Sequence, residues 1–328
     1  MPDADDDCLA RVKTALTSLT RSDDAALLLA VSGGPDSMAM LDLVKRCWAG
    51  PVFAATVDHG LRPESAAEAD MVAGHCARIG VPHTILKPAV PITGNLQSAA
   101  RVARYRLLAD EADRNATPWI VTAHHADDQL ETMLMRLARG SGVDGLAGVR
   151  ARNGRVVRPL LGFGKAELQG YCTAHAIPFV EDPSNRNVDF DRVRMRNALA
   201  TFDAIGALQA VKSAQALADA ADALEWIAAR EAETAIGAGE GAAELHRTDY
   251  PAALLRRLVL LCLERIEPGI APRGAALDRL IGTLQSGGQA MVGNVLCHGG
   301  EIWRFVPAPA RNNAPSPGHS SQFTTDNP

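Results

Sequence analysis

Residues Ala25 to Val31 form an unbroken apolar run that stops in the small polar loop Ser32-Gly33-Gly34-Pro35-Asp36-Ser37. Met38, Leu41, Leu43 and Val44 then follow at roughly helical spacing. The order predicts strand, loop and helix, with the strand buried on both faces as in a parallel sheet. Gly33 and Gly34 let the backbone approach an anion closely, and Ser32 and Ser37 add hydroxyl donors. The helix that follows aims unsatisfied N–H groups and partial positive charge at the same point. A phosphate suits that place. Asp36 would repel it unless a divalent cation lay between, and Mg²⁺ is the usual one with nucleotides.

The loop lacks the Gly-Lys-Ser/Thr of a Walker A motif and is not a Gly-x-Gly-x-x-Gly dinucleotide fingerprint. It resembles the PP-loop of the N-type ATP pyrophosphatases, which split ATP into AMP and pyrophosphate. The plain alternative is a Gly-rich turn with no ligand.

The chain has 328 residues, enough for two domains, and its 47% hydrophobic and 22% charged content is ordinary for a globular protein. No apolar run is long enough to span a bilayer. The acidic start, Asp3 to Asp7, argues against a secretory or transit peptide, so a cytoplasmic location is expected. The six cysteines are scattered with no Cys-x-x-Cys pair, which leaves a zinc ribbon or iron–sulfur site without a local framework. With a net charge of −5, any nucleic-acid partner must be met by a local basic face.

Further along, Val52 to Val57 predicts a second buried strand ending in Asp58-His59-Gly60-Leu61-Arg62. His83 to Leu86 predicts a third, and Trp119 to Ala123 a fourth, followed by a helix from about Ala126. Strands alternating with helices predict a Rossmann-like parallel sheet covered on both faces, an α/β fold. Ligands of such sheets sit at the carboxyl ends of the strands. The loop at Ser32, the pair Asp58-His59 and the pair His124-His125 all fall there, so one site is expected. Beyond about Phe202 the composition turns Ala- and Leu-rich and helical, interrupted at Gly237, Gly239 and Gly241. Met291 to Val306 predicts a hairpin about His298-Gly299-Gly300. The expected domains are residues 1–205, 206–306 (mostly helical) and a disordered tail, 307–328.

The densest polar cluster is His124-His125-Ala126-Asp127-Asp128-Gln129-Leu130-Glu131. Asp127 and Asp128 precede Glu131 by four and three residues and can share a helix face with it. Carboxylates converging there suit a metal or an ammonium group; an acidic helix N-terminus favoured by the dipole is the plainer reading. Zinc is disfavoured, because adjacent histidine side chains diverge. Asp58-His59 suits an adenosine or substrate contact. Arg101, Arg104 and Tyr105 span one helical turn. The arginines from Arg150 to Arg158 and from Arg186 to Arg196 offer donors for phosphates.

Taken together, the segments resemble the tRNA(Ile)-lysidine synthetase family. The matching residues are Ser32 to Ser37, Asp58 to Arg62 with Ser65, Ala100-Arg101 with Arg104-Tyr105, and Ala123-His124-His125 with Asp128, Glu131-Thr132 and Arg139-Gly140. Gly145-Leu146, Arg158-Pro159-Leu160, Glu181 to Asn185 and Arg192 to Asn197 continue the match. It covers roughly the first two hundred residues. The resemblance implies that ATP adenylates the C2 oxygen of the wobble cytidine in an isoleucine tRNA with a CAU anticodon. The ε-amine of free L-lysine then displaces AMP. On that reading Ser32, Gly33, Gly34, Pro35, Asp36 and Ser37 hold the pyrophosphate, and Asp36 is a ligand of Mg²⁺. Asp58 and His59 contact ATP. Asp128 and Glu131 pair with the lysine ammonium. His124 takes a proton or touches the α-phosphate, and Arg192 and Arg196 stabilise the adenylate or hold RNA. The implied partners are tRNA, lysine and ATP, with a homodimer allowed for. In long members a helical domain and a further small domain help hold tRNA; the resemblance implies a shortened last domain here.

Competing readings remain open at this level. Cytidine thiolation needs sulfur carried on cysteines or a cluster. A metal-dependent phosphoesterase would use Asp58-His59 and His124-Asp128. A nucleotide-binding module without catalysis is the last.

Overall fold

The computed structural model describes residues 4–60, 64–89, 96–180, 191–199, 205–239 and 241–309. Packing divides the chain into two units, Met1–Ala221 and Asp222–Pro328.

The first unit contains α1 (Ala4–Thr20), β1 (Leu27–Ala30), α2 (Pro35–Cys47), β2 (Val52–Val57), α3 (Glu64–Ile79), β3 (His83–Leu86), α4 (Leu96–Arg114) and β4 (Trp119–Thr122). It continues with α5 (Ala126–Leu137), α6 (Val143–Leu146), β5 (Arg152–Asn153), β6 (Val156–Val157), α7 (Lys165–Ala174) and α8 (Asp191–Leu199). The sheet order is β3-β2-β1-β4-β6-β5, parallel except for the β5–β6 pair. β1 is central and its side chains alternate between two cores. Leu27 and Leu29 pack with α1 and α2, and Leu28 and Ala30 pack with Leu108 and Ala112 of α4. The three leucines are fully buried, each contributing about 1.5–3 kcal/mol of hydrophobic stabilisation. The uninterrupted apolar run is the direct consequence of burial on both faces.

Chain order reverses at β1. β2 and β3 add on one side, then α4 crosses over and β4 pairs on the other, with Ala30 beside Thr122. A crevice opens at such a switch point, outside the strand carboxyl ends. The loops after β1 and β4 border it.

The basic stretch after α5 differs from expectation. Of the arginines expected to offer donors for phosphates, Arg158 donates to the Arg150 carbonyl at 2.6 Å and Arg150 to the Ala218 carbonyl at 3.1 Å. Arg155 binds Asp113 at 2.6 Å and the Thr117 carbonyl at 2.7 Å, and Arg152 lies over the Trp119 ring. These guanidinium groups satisfy backbone carbonyls around the β5–β6 edge.

α9 (Ala207–Ala235) includes Ala221 and Asp222, where one unit gives way to the next along the chain. The second unit adds β7 (Ile236–Gly239), β8 (Ala242–Leu245), α10 (Ala252–Ile266), α11 (Gly274–Gln285), β9 (Gln289–Val292), β10 (Val295–His298) and β11 (Trp303–Pro307). The expected hairpin is the β10–β11 pair, but it belongs to a five-stranded antiparallel sheet, β7-β8-β11-β10-β9. Trp303, Phe305 and Leu245 face Leu255, Leu258 and Leu284 of α10 and α11 in one core. The β7–β8 strands escape sequence reading because Gly-Ala-Gly and Ala-Ala carry little strand propensity. Most of the tail expected to be disordered, 310–328, lies outside the described residues. Among the described residues no helix is long and apolar enough to cross a membrane.

Candidate active site

The loop after β1 holds its own shape. Gly33 adopts φ +86°, the left-handed region that disfavours a side chain. Its carbonyl accepts from Val180 N at 2.9 Å, so the segment after α7 buttresses the loop. Ser37 Oγ donates to the Gly34 carbonyl at 2.9 Å and accepts from Ser32 N at 3.1 Å. Pro35 occupies the first turn of α2, where its missing N–H costs nothing, and its carbonyl receives the Cys172 thiol at 3.3 Å. The result is a preformed cradle at a helix N-terminus, suited to a phosphate.

Asp36 projects from that first turn towards the loop after β4. One of its oxygens lies 3.5 Å from His125 Nε2, and the other, Oδ1, is buried without a hydrogen-bond partner among the described residues. His125 precedes α5, and its backbone N donates to Asp128 Oδ2 at 3.1 Å. The same Asp128 oxygen lies 3.6 Å from His125 Nε2, while Asp127 Oδ2 lies 3.5 Å from Nδ1. Burial alone would lower the pKa of His125. Asp127, Asp36 and Asp128 override it and push the ring up to about 10, so the imidazolium sits among three carboxylates. The His125 contact holds Asp127 below the usual carboxylate range against burial, helped by Lys165 N at the start of α7, 2.8 Å from Oδ2.

One turn along α5, Glu131 is buried and meets Arg196 of α8 at two points, Nε to Oε1 at 2.7 Å and NH2 to Oε2 at 3.1 Å. The structure thus pairs with each other two residues that the sequence offered to different ligands. His124 stands at the end of β4 with Nδ1 3.0 Å from Thr122 Oγ1. At the end of β2, Asp58 Oδ1 accepts from Ser65 Oγ at 2.7 Å and Gly60 N at 2.9 Å, and Oδ2 lies 3.3 Å from Lys87 Nζ. Its carboxylate builds the turn into α3 rather than standing open to a ligand. His59 is half-buried with Nδ1 lacking a partner; burial and the nearby Arg104 charge hold its pKa down. The side chain of Arg192 and the whole of Glu181 to Asn185 lie outside the described residues.

The loop, Asp36 and Asp128 therefore converge, with His125 at their centre. Sequence reasoning had left His125 unassigned. The signal was its place immediately before α5, where the backbone must turn and the acidic first turn folds back over it. Among the described residues no group of three or more His, Cys, Asp or Glu forms a complete metal cage. That suits Mg²⁺ only in company, since the ion keeps several waters and is usually held by one or two carboxylates and the substrate's phosphates. The unpartnered Asp36 oxygen fits that donor set.

Comparison with known proteins bears on this geometry. A family model described as a PP-loop domain matches residues 8–202. The tRNA(Ile)-lysidine synthase of Zymomonas mobilis is 43% identical, over 87% of this chain and 89% of its own. That of Novosphingobium aromaticivorans is 42% identical, over 86% and 88%. Among solved structures, a U34-tRNA thiolase from Methanococcus maripaludis with a 4Fe–4S cluster superposes with TM-score 0.56 at 16% identity, over 65% of this chain and 78% of its own, and so shares the fold. From a PP-loop domain over more than half its length, and relatives of this identity over most of both chains, it follows that the chain belongs to the tRNA(Ile)-lysidine synthase family.

Proposed function

We propose that the chain joins free lysine to the wobble cytidine of a CAU-anticodon tRNA(Ile) at the expense of ATP. The observation that carries the reading is the switch-point crevice. It sets a preformed phosphate cradle, Ser32 to Ser37, opposite the carboxylates at the start of α5.

The cytosine C2 oxygen attacks the α-phosphorus and pyrophosphate leaves; the lysine ε-amine then attacks C2 and AMP leaves. Backbone N–H groups of the loop, the Ser32 hydroxyl and the α2 N-terminus hold the departing pyrophosphate. Asp36 would hold Mg²⁺, which when bound offsets phosphate charge. His59, kept neutral, contacts the adenosine, with Asp58 shaping its turn. Asp128 receives the lysine ammonium. Glu131, already in contact with Arg196, acts by holding that guanidinium towards Asp36 and Asp128, whose charges it feels. There it can meet the adenylate phosphate. His124, fixed by Thr122, takes the proton released by the amine. The target base lies in a single-stranded loop, so its extrusion is inexpensive. We assign RNA contact also to residues 206–306, and a cytoplasmic setting, where these substrates occur.

Thiolation is the runner-up because the fold is shared with a tRNA thiolase. Sulfur transfer needs thiolates, and here burial pushes Cys47 and Cys76 up to about 11 and Cys172 up to about 12. The test is incorporation of labelled lysine into a CAU tRNA(Ile) transcript with and without ATP, with a methionine tRNA as control. Label in the first alone, dependent on ATP, is expected. None, with active protein binding ATP, overturns the reading.

A further inference from the structure

We propose that the groove between the end of α5 and α8 is a subsite for a nucleotide of the substrate RNA next to the one that reacts. The inference rests on the reading of the chain as a tRNA-modifying enzyme and names a second contact for that substrate.

The groove encloses about 300 Å³ and is lined by Met135, Ala138, Arg139, Arg194, Met195 and Ala198. Its place follows from helix periodicity. Along α5 and its C-cap Ala138, the residues Asp128, Glu131, Met135 and Ala138 succeed one another at steps of three and four, so they form one stripe. Met135 stands about 10 Å along the axis from Asp128. On α8, Arg196 lies between Met195 and Ala198 and closes on Glu131. Along α5 the Glu131–Arg196 pair therefore lies between Asp128 and the residues that line the groove.

Its chemistry selects the occupant. The two thioethers give polarizable walls that favour aromatic faces, and the two alanines leave the slot open. Arg139 and Arg194 are exposed, and guanidinium groups both stack on bases and bind phosphates. Single-strand sites combine a positively charged groove with flat faces on which bases stack, and here the guanidinium planes supply those faces in place of aromatic rings. Among the described residues no carboxylate lines the groove, so nothing described there takes the ammonium groups of free lysine. The phosphates of ATP have their own cradle after β1. In a chain of net charge −5, local cations beside the crevice are what an RNA needs.

The test uses the full chain with two changes, Ala138→Trp, which fills the slot, and the double variant Arg139→Glu with Arg194→Glu, which reverses its edges. Lysidine formation is measured against tRNA(Ile), lysine and ATP separately, with ATP binding in the absence of tRNA as the check on folding and sedimentation as the check on assembly. Both variants should raise KM for tRNA tenfold or more, with KM for lysine within twofold of wild type. An unchanged KM for tRNA overturns the subsite. So does a rise confined to lysine, or a defect that tracks the loss of a dimer. Should the tryptophan variant lose ATP binding, the exposed arginines decide. Absence of lysidine formation by the wild type would instead strike the broader reading.

Discussion

Glu131 and Arg196 form a two-point ion pair across α5 and α8, with the carboxylate 3% exposed and the guanidinium 31% exposed. Two parallel N–H···O bonds fix a planar guanidinium in orientation as well as position. The pair therefore links the helix that carries Asp128 to the helix that carries the remaining arginines. Glu131→Gln keeps the shape and removes the charge. Removing one partner of a buried pair costs about 3–5 kcal/mol, and the partial exposure of Arg196 brings the expected loss to about 2 kcal/mol. Adenylation, followed by pyrophosphate release in the absence of lysine, should slow at least tenfold, because Arg196 loses its aim. KM for lysine should move less than twofold. A large rise in KM for lysine with normal pyrophosphate release would return Glu131 to the ammonium and refute the positioning role.

Gly33 offers a test of the cradle by itself. Its φ of +86° strains any L side chain, and a Cβ there would touch Val180 Cγ2 at 3.4 Å. Gly33→Ala should cost about 1–2 kcal/mol of stability, readable as a lower urea midpoint. It should also weaken ATP binding several-fold, because the loop amides tilt away from the phosphates. If the midpoint falls and ATP affinity stays at the wild-type value, the loop does not hold the nucleotide.

Asp36 has one oxygen near the His125 imidazolium and one without a partner. Asp36→Asn keeps the shape of the side chain and removes its charge beside the His125 imidazolium, so the fold should persist with a somewhat lower urea midpoint. ATP turnover should drop by two orders of magnitude or more, the usual scale for losing a charge-stabilising group at a transferring phosphoryl. Chelation of divalent ions should do the same to the wild type, and added Mg²⁺ should restore only the wild type. Turnover that survives chelation would remove the metal from the mechanism.

How much of this was legible in the sequence depends on the scale of the signal. The β1 strand and its loop were plain, because Leu27 to Leu29 must be apolar on both faces and Gly33 must be a glycine. Convergence at the strand ends followed from topology. What stayed hidden was pairing at long separation. That Glu131 would meet Arg196, 65 residues away, and that Arg150 and Arg158 would bind carbonyls rather than phosphates are matters of tertiary packing, which composition does not encode. The β7–β8 strands were hidden for the opposite reason: a Gly- and Ala-rich segment has too little side-chain pattern to declare a period.

Asp58 supplies the test by pH. Hydrogen bonds from Ser65 and Gly60 N hold its pKa below the ordinary carboxylate value against burial, with help from Lys87. A carboxylate whose pKa is lower folded than unfolded stabilises the protein above the unfolded value, and that stabilisation is lost as pH falls through the folded value. Asp58→Asn keeps an acceptor for Gly60 and Ser65 but removes the charge. At neutral pH it should cost about 1 kcal/mol, the difference between a charged and a neutral acceptor. The gap to wild type should hold down to about pH 5 and narrow below the ordinary carboxylate value as the wild-type group takes up its proton. Urea titrations at pH 7, 5 and 3 read this directly. A gap that stays constant across the three would mean that the carboxamide disturbs the turn by shape, and that the charge of Asp58 is not what holds it.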